Sequence, residues 1–251
     1  MKRLLCAVLA CGVSVGVADA AGNEKIESFN TAKRVLEKRV YHDHRETLYC
    51  RAPFDSKKNI DLPSGFSTPG HAKRAGRIEW EHVVPAENFG KAFREWREGD
   101  ARCVNEKNGK PYKGRKCAEE VSREYQLMQA DLYNLYPAIG AVNAIRSNHG
   151  FTMLPNGTPS TFGTCEMKVV GNKVEPPVYT RGVIARTYKY MAEAYPKRFN
   201  LSRQQQRLMD VWDKQNPVDA WECLRARRIE KIQGNENGIV KNACINQGLW
   251  P

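Results

Sequence analysis

Long apolar runs are almost missing from this chain, and that shortage sets the first limits. Only Leu4 to Val17 is continuously apolar, and no other stretch approaches the roughly 18 apolar residues a membrane helix needs, so no membrane partner is expected. Internal repeats, low-complexity tracts and linker-like segments are lacking too, which argues for one compact domain rather than an array. No Cys-x-x-Cys pair occurs, so zinc-finger and thioredoxin readings are weak. Acidic residues are scarce beside basic ones, 28 against 40, for a formal net charge of +12. Such an excess suits a polyanion, whether nucleic acid, anionic lipid or acidic glycan, and charge alone does not choose among them.

The one apolar run has the form of a secretory signal: Lys2 and Arg3 precede it, and the small-x-small site Ala18-Asp19-Ala20 follows. Cleavage before Ala21 leaves a mature domain over 21–251, of net charge +11 once Lys2, Arg3 and Asp19 are removed. Cys6 and Cys11 leave with residues 1–20. The remaining six, Cys50, Cys103, Cys117, Cys165, Cys223 and Cys244, read in an exported protein as three disulfides. Proximity along the chain favours Cys103 with Cys117 and Cys223 with Cys244, leaving Cys50 for Cys165.

Ile26, Phe29, Leu36 and Val40 recur at roughly helical spacing and predict an amphipathic N-terminal helix. Residues 77–84 read as a strand closed by Pro85. The polar segment between Cys103 and Cys117, with Asn108-Gly109 and Lys113-Gly114 as turn signals, reads as a basic loop tied by its disulfide. Helices are expected over 119–129 and 138–147, separated by Pro137. A hairpin is expected over 166–175 about Gly171-Asn172, and three helices over 181–194, 202–215 (N-capped by Ser202) and 218–233. Few strands among many helices, without regular alternation, indicate an α+β fold.

The chemistry concentrates in two segments. In Ile78-Glu-Trp-Glu-His82 adjacent side chains of a regular strand point to opposite faces, so Glu81 and His82 could share one centre only where the strand ends or bends. A carboxylate suits Mg²⁺, and a neutral histidine can take a proton from water near neutral pH. The second segment places Asn143 and Arg146 one helical turn apart: an amide oxygen is a permissible ligand for Mg²⁺, and arginine can hold a phosphate. Arg115 sits in Lys113-Gly-Arg-Lys116, where glycine lets backbone approach a ligand and Cys117 anchors the loop. His42 and His44 are read as structural, and His71 and His149 as surface residues. Two rivals share some of these features: a basic binding protein without chemistry, and a glycan hydrolase using Glu79 and Glu81 as its carboxyl pair.

Taken together, "WEHVVPAENFG" (80–90), "GRKCA" (114–118), "ADLYNLYPAIGAVNAIRSN" (130–148), "RGVIARTYKYM" (181–191) and "NPVDAWECLRARRIEKIQGNEN" (216–237) resemble the bacterial periplasmic endonuclease I family, in order across nearly the whole mature chain. The resemblance implies a ββα-metal (His-Me finger) core within surrounding helices and about three disulfides. It also implies a monomeric, periplasmic or secreted nuclease without sequence specificity. Double- and single-stranded DNA would be bound through phosphates, RNA being a further candidate substrate, and cleavage would leave 5′-phosphate ends. On that resemblance His82 is the general base, Glu81 and Asn143 hold one Mg²⁺ (Mn²⁺ or Ca²⁺ could take the same site), and Arg115 holds the scissile phosphate. Lys113, Lys116 and Arg146 are expected as further phosphate contacts. Gln129 departs from some relatives, which carry glutamate there, and is not counted as a ligand.

Overall fold

The computed structural model describes residues 22–251, so the expected signal segment lies outside the described residues. The chain enters through α1 (Phe29–Val35), where the Ser28 hydroxyl accepts from Thr31 N, and continues through a wider π turn over Leu36–Val40. Leu36 and Val40 are fully buried there, as their spacing predicts. Next come α2 (Ala72–Ala75), β1 (Ile78–His82), α3 (Ala86–Gly90) and α4 (Arg94–Arg97). After the basic loop come α5 (Arg115–Val121), α6 (Arg123–Gln129), β2 (Leu135–Ile139) and α7 (Gly140–Arg146). A small sheet of β3 (Gly150–Phe151), β4 (Lys168–Val170) and β5 (Lys173–Glu175) has the order β3-β5-β4. The helices α8 (Arg181–Ala194), α9 (Arg203–Gln215), α10 (Ala220–Gln233) and α11 (Gly238–Asn246) complete the chain.

The centre of the fold is antiparallel β1–β2, with Ile78 opposite Ile139, Trp80 opposite Pro137 and His82 opposite Leu135. Strand β2 is not expected from the sequence, because Pro137 reads as a breaker. It is tolerated because its carbonyl accepts from Leu48 N at 2.8 Å, so its polar groups face away from β1 and no N–H is required of it. The helix expected over 138–147 accordingly begins two residues later, at Gly140. The helix expected over 119–129 is two: it starts at Arg115 and breaks at Ser122, which is extended (φ −111°, ψ 102°). The hairpin about Gly171-Asn172 forms as β4–β5, and α11 lies beyond the last expected helix.

The C-terminal helices hold the β1–β2 unit through buried polar side chains rather than apolar contact alone. Arg225 of α10 donates to the Tyr41 and Tyr136 hydroxyls and to the carbonyls of Leu132 and Leu135, fixing the approach to β2. Asp131, fully buried, accepts from the hydroxyls of Tyr190 and Tyr195 and from Gln233 Nε2. Buried groups of this kind are tolerated only when their hydrogen bonds are made. Three disulfides join Cys50 to Cys165, Cys103 to Cys117 and Cys223 to Cys244, the pairs that proximity in the chain favours.

Candidate active site

His82 is the last residue of β1, and the chain bends immediately after it. Asn134 clamps that bend: its carbonyl accepts from Val83 N, its Oδ1 accepts from Val84 N, and its Nδ2 donates to Val84 O. The bend needed to bring Glu81 and His82 to one centre is therefore set by Asn134, and Pro85 serves instead to cap α3.

Both side chains line one cleft of about 810 Å³, together with Glu79, Arg115 and Asn143. His82 is 7 % exposed and lies against the ring of Phe29, centroids 4.8 Å apart. Its Nε2 is 2.8 Å from the carbonyl oxygen of Gln129. Only an N–H can make that bond, so Nε2 carries the proton and Nδ1 keeps its lone pair. Burial, and then the positive charge of Arg115, pull the His82 pKa down to about 3, so the ring is neutral.

Glu81 is 3 % exposed. Its Oε1 accepts from the Tyr49 hydroxyl at 2.8 Å and pairs with Arg146 Nη1 at 3.0 Å, which leaves Oε2 for a ligand. Burial pushes its pKa up, while Arg146 and Tyr49 oppose the rise. Glu79 goes the other way. Burial raises it, but hydrogen bonds from Arg74 and Asn143 outweigh burial and hold its carboxyl below the usual range. Asn143 uses Nδ2 to donate to Glu79 Oε2 at 2.7 Å, so its Oδ1 remains available.

Helix α7 thus lays one face across β1, Asn143 reaching Glu79 and Arg146 reaching Glu81. Arg146 lines the same cleft but is fully buried. It pairs with Glu81 and donates to the carbonyls of His82 and Val83, so in the free protein its charge is already engaged there. Arg115 is the first residue of α5, preceded by Gly114 at φ 82°, ψ −156°, a backbone conformation open to glycine alone. That conformation is by itself a sufficient reason for glycine at position 114. Arg115 donates to Glu119 Oε1 at 2.8 Å and to Gln129 Oε1 at 3.3 Å, with its side chain 40 % exposed. Lys113 and Lys116 do not line the cleft, and Lys116 sits over the Tyr112 ring.

The basic rim of the cleft comes instead from Lys33, Lys58, Lys73, Arg74 and Arg77. Sequence reasoning misses these, although the run His71-Ala-Lys-Arg-Ala-Gly-Arg77 directly before β1 is a usable signal. No sequence signal points to Tyr49. Among the described residues no group of three or more His, Cys, Asp or Glu gathers into a metal cage. The oxygens left on Glu81 and Asn143 are nevertheless hard donors, and they fit a cation such as Mg²⁺ that keeps most of its shell as water.

Two antiparallel strands closing onto one helix, with histidine on the strand and asparagine on the helix, define a mixed helix-and-sheet protein whose cleft suits a polyanion and a hard cation. The chain belongs to the endonuclease I family, whose profile, described as Endonuclease I, matches residues 28–244. It is 41 % identical over 225 residues to an extracellular deoxyribonuclease of Aeromonas hydrophila, covering 87 % of this chain and 91 % of that protein. A periplasmic deoxyribonuclease of the same organism is 40 % identical over 245 residues, covering 94 % of this chain and 95 % of that protein. Endonuclease-1 of Buchnera aphidicola subsp. Baizongia pistaciae is 36 % identical over 237 residues, 89 % of each chain.

Proposed function

We propose that this protein is a periplasmic or secreted endonuclease that hydrolyses DNA phosphodiester bonds without sequence preference, using one Mg²⁺ held by Glu81 and Asn143. The observation that carries the reading is the division of oxygens at Glu81, where Tyr49 and Arg146 both hold Oε1 rather than Oε2, on a residue that lines the same cleft as Asn143 and His82. The bound ion would stabilise negative charge on the phosphate and on the leaving oxygen.

The remaining steps belong to the chain. Nδ1 of His82 takes a proton from the attacking water, while the Gln129 carbonyl on Nε2 holds the ring and stabilises its protonated form. A phosphate beside Arg115 would offset the positive charge that, after burial, depresses His82. Arg115 steadies the phosphate as its charge grows, worth on the order of a few kcal/mol. The water oxygen bonds to phosphorus as the bond to the 3′ oxygen breaks, and the departing 3′ oxygen takes a proton from a solvent water, leaving a 5′-phosphate and a 3′-hydroxyl. Nothing in this chemistry uses the 2′ position of the sugar, so RNA belongs to the proposed substrate range. A glycan hydrolase would need two free carboxyl groups, whereas both oxygens of Glu79 are held by Arg74 and Asn143.

Plasmid DNA and RNA incubated with the mature protein, with and without chelator, test the reaction. Cleavage should require the divalent ion. His82→Ala should lose about 10²–10⁴-fold in turnover and still bind DNA. A variant keeping a tenth of wild-type turnover at neutral pH would remove His82 from the role of base.

A further inference from the structure

Glu79 is the acidic residue of β1 that the proposed chemistry leaves unused, yet it is held from two directions. Arg74 donates through Nε to Oε1 at 2.7 Å and through Nη2 to Oε2, a two-pronged pairing that keeps the carboxylate ionised. From α7, Asn143 Nδ2 donates to Oε2 at 2.7 Å. The approach is close: a Cβ at Gly140 would lie 2.5 Å from Arg74 O and 2.9 Å from Glu79 Oε1, so glycine at the head of α7 lets the three residues meet.

An asparagine amide can present either its oxygen or its NH₂ to a neighbour, and only the oxygen can bind a cation. An ionised carboxylate accepts and never donates. Facing Glu79, Asn143 must therefore give it the NH₂. We infer that Glu79, clamped by Arg74, is a positioning residue that fixes the amide of Asn143 so that Oδ1 serves the cation. The inference rests on the reading that places a divalent ion on Glu81 and Asn143. Groups that orient a metal ligand typically change metal affinity by about 10–100-fold when removed.

Calorimetric titration of the mature protein with Mn²⁺, without DNA, tests this. Glu79→Gln should weaken Mn²⁺ binding by about tenfold or more. Arg74→Ala, at an exposed position, should weaken it several-fold and serves if Glu79→Gln does not fold. Asn143→Asp then separates orientation from charge. Alone it sets two carboxylates face to face and should gain no affinity. Combined with Glu79→Gln it restores a donor–acceptor pair, the amide introduced on β1 donating to the carboxylate introduced on α7. The double variant should bind about tenfold tighter, or more, than Glu79→Gln alone. If charge alone governed the site, the added carboxylate would tighten binding in both backgrounds. That result, or a Glu79→Gln protein within twofold of wild type, overturns the inference. In either case Asn143→Ala binding weakly would leave the underlying metal reading standing. Asn143→Ala binding as tightly as wild type would remove both.

Discussion

Glu81 and Arg146 form a buried ion pair in the wall of the cleft. Both side chains are out of water, and removing one partner would strand the other charge together with the carbonyls of His82 and Val83. Breaking such a pair typically costs about 3–5 kcal/mol. Arg146→Ala should therefore lower the unfolding free energy by about that much in a denaturant titration. A loss under about 1 kcal/mol would be the signature of a solvated arginine and would return it to the set of phosphate contacts. Tyr49 belongs to the same cluster, its hydroxyl holding Oε1 of Glu81. The residues proposed to meet the reacting atoms are legible in the sequence, because glutamate, histidine and asparagine in apolar surroundings are costly without a task. Their supports are not. Tyr49 lies 32 positions from Glu81, and a tyrosine among apolar residues reads as core.

At the scale of elements, the Cys103–Cys117 disulfide closes a loop of sequence separation 14 and ends two residues into the helix that opens with Arg115. Closing a loop of that size stabilises by about 3 kcal/mol in the chain-entropy account. The Cys103→Ser/Cys117→Ser double variant should lose about that stability and also cleave more slowly, because the first turn of α5 carries Arg115. Unchanged turnover at a temperature where the variant is folded would show that the loop does not position Arg115. A second element contact gives a pH dependence. Asp43, just past the π turn, accepts from both Nη atoms of Arg228 on α10 at 2.6 Å. That bonding holds the Asp43 carboxyl down at about 2. Because the folded value lies below the ordinary one, the contribution is present above about pH 4 and is lost as pH falls through 2. Wild type should therefore melt higher than Asp43→Asn at pH 5, and the gap should shrink as pH falls to about 2. An equal gap at both values would assign the effect to something other than this pair. The long C-terminal helices are legible because their signals are local: Ser202 caps α9 as the sequence pattern requires, while α10 starts at Ala220, two residues later than expected, behind the Asp219 cap. Strand β2 is not, because its order comes from pairing with a strand far earlier in the chain, and Pro137 obscures it.

At the scale of the whole molecule, a basic chain places a group of its positive side chains around the candidate cleft. Lys33, Lys73 and Arg77 join Arg115 around the cleft, while Lys58 and Arg74 are already paired with Glu37 and Glu79. With binding carried by phosphates, affinity should fall with salt at a log-log slope of roughly −0.9 for each phosphate neutralised on duplex DNA, and so on the order of −3 to −4 if Lys33, Lys73, Arg77 and Arg115 each take one. Of these, Arg115 is the charge that acts most strongly on His82, ahead of Lys33. Arg115→Ala should reduce the slope by about one and also lower the catalytic rate. Its contact with Glu119 in the free protein keeps the change in slope from exceeding about one. Lys73→Ala, on the exposed rim, should change the slope alone. Binding is to be measured in Ca²⁺ across a salt series, where DNA is expected to bind with little cleavage, and cleavage in Mg²⁺ for each variant. An Arg115→Ala protein with unaltered slope and unaltered rate would remove Arg115 from the site and leave Lys113 and Lys116, its close neighbours in the chain, as the groups to test.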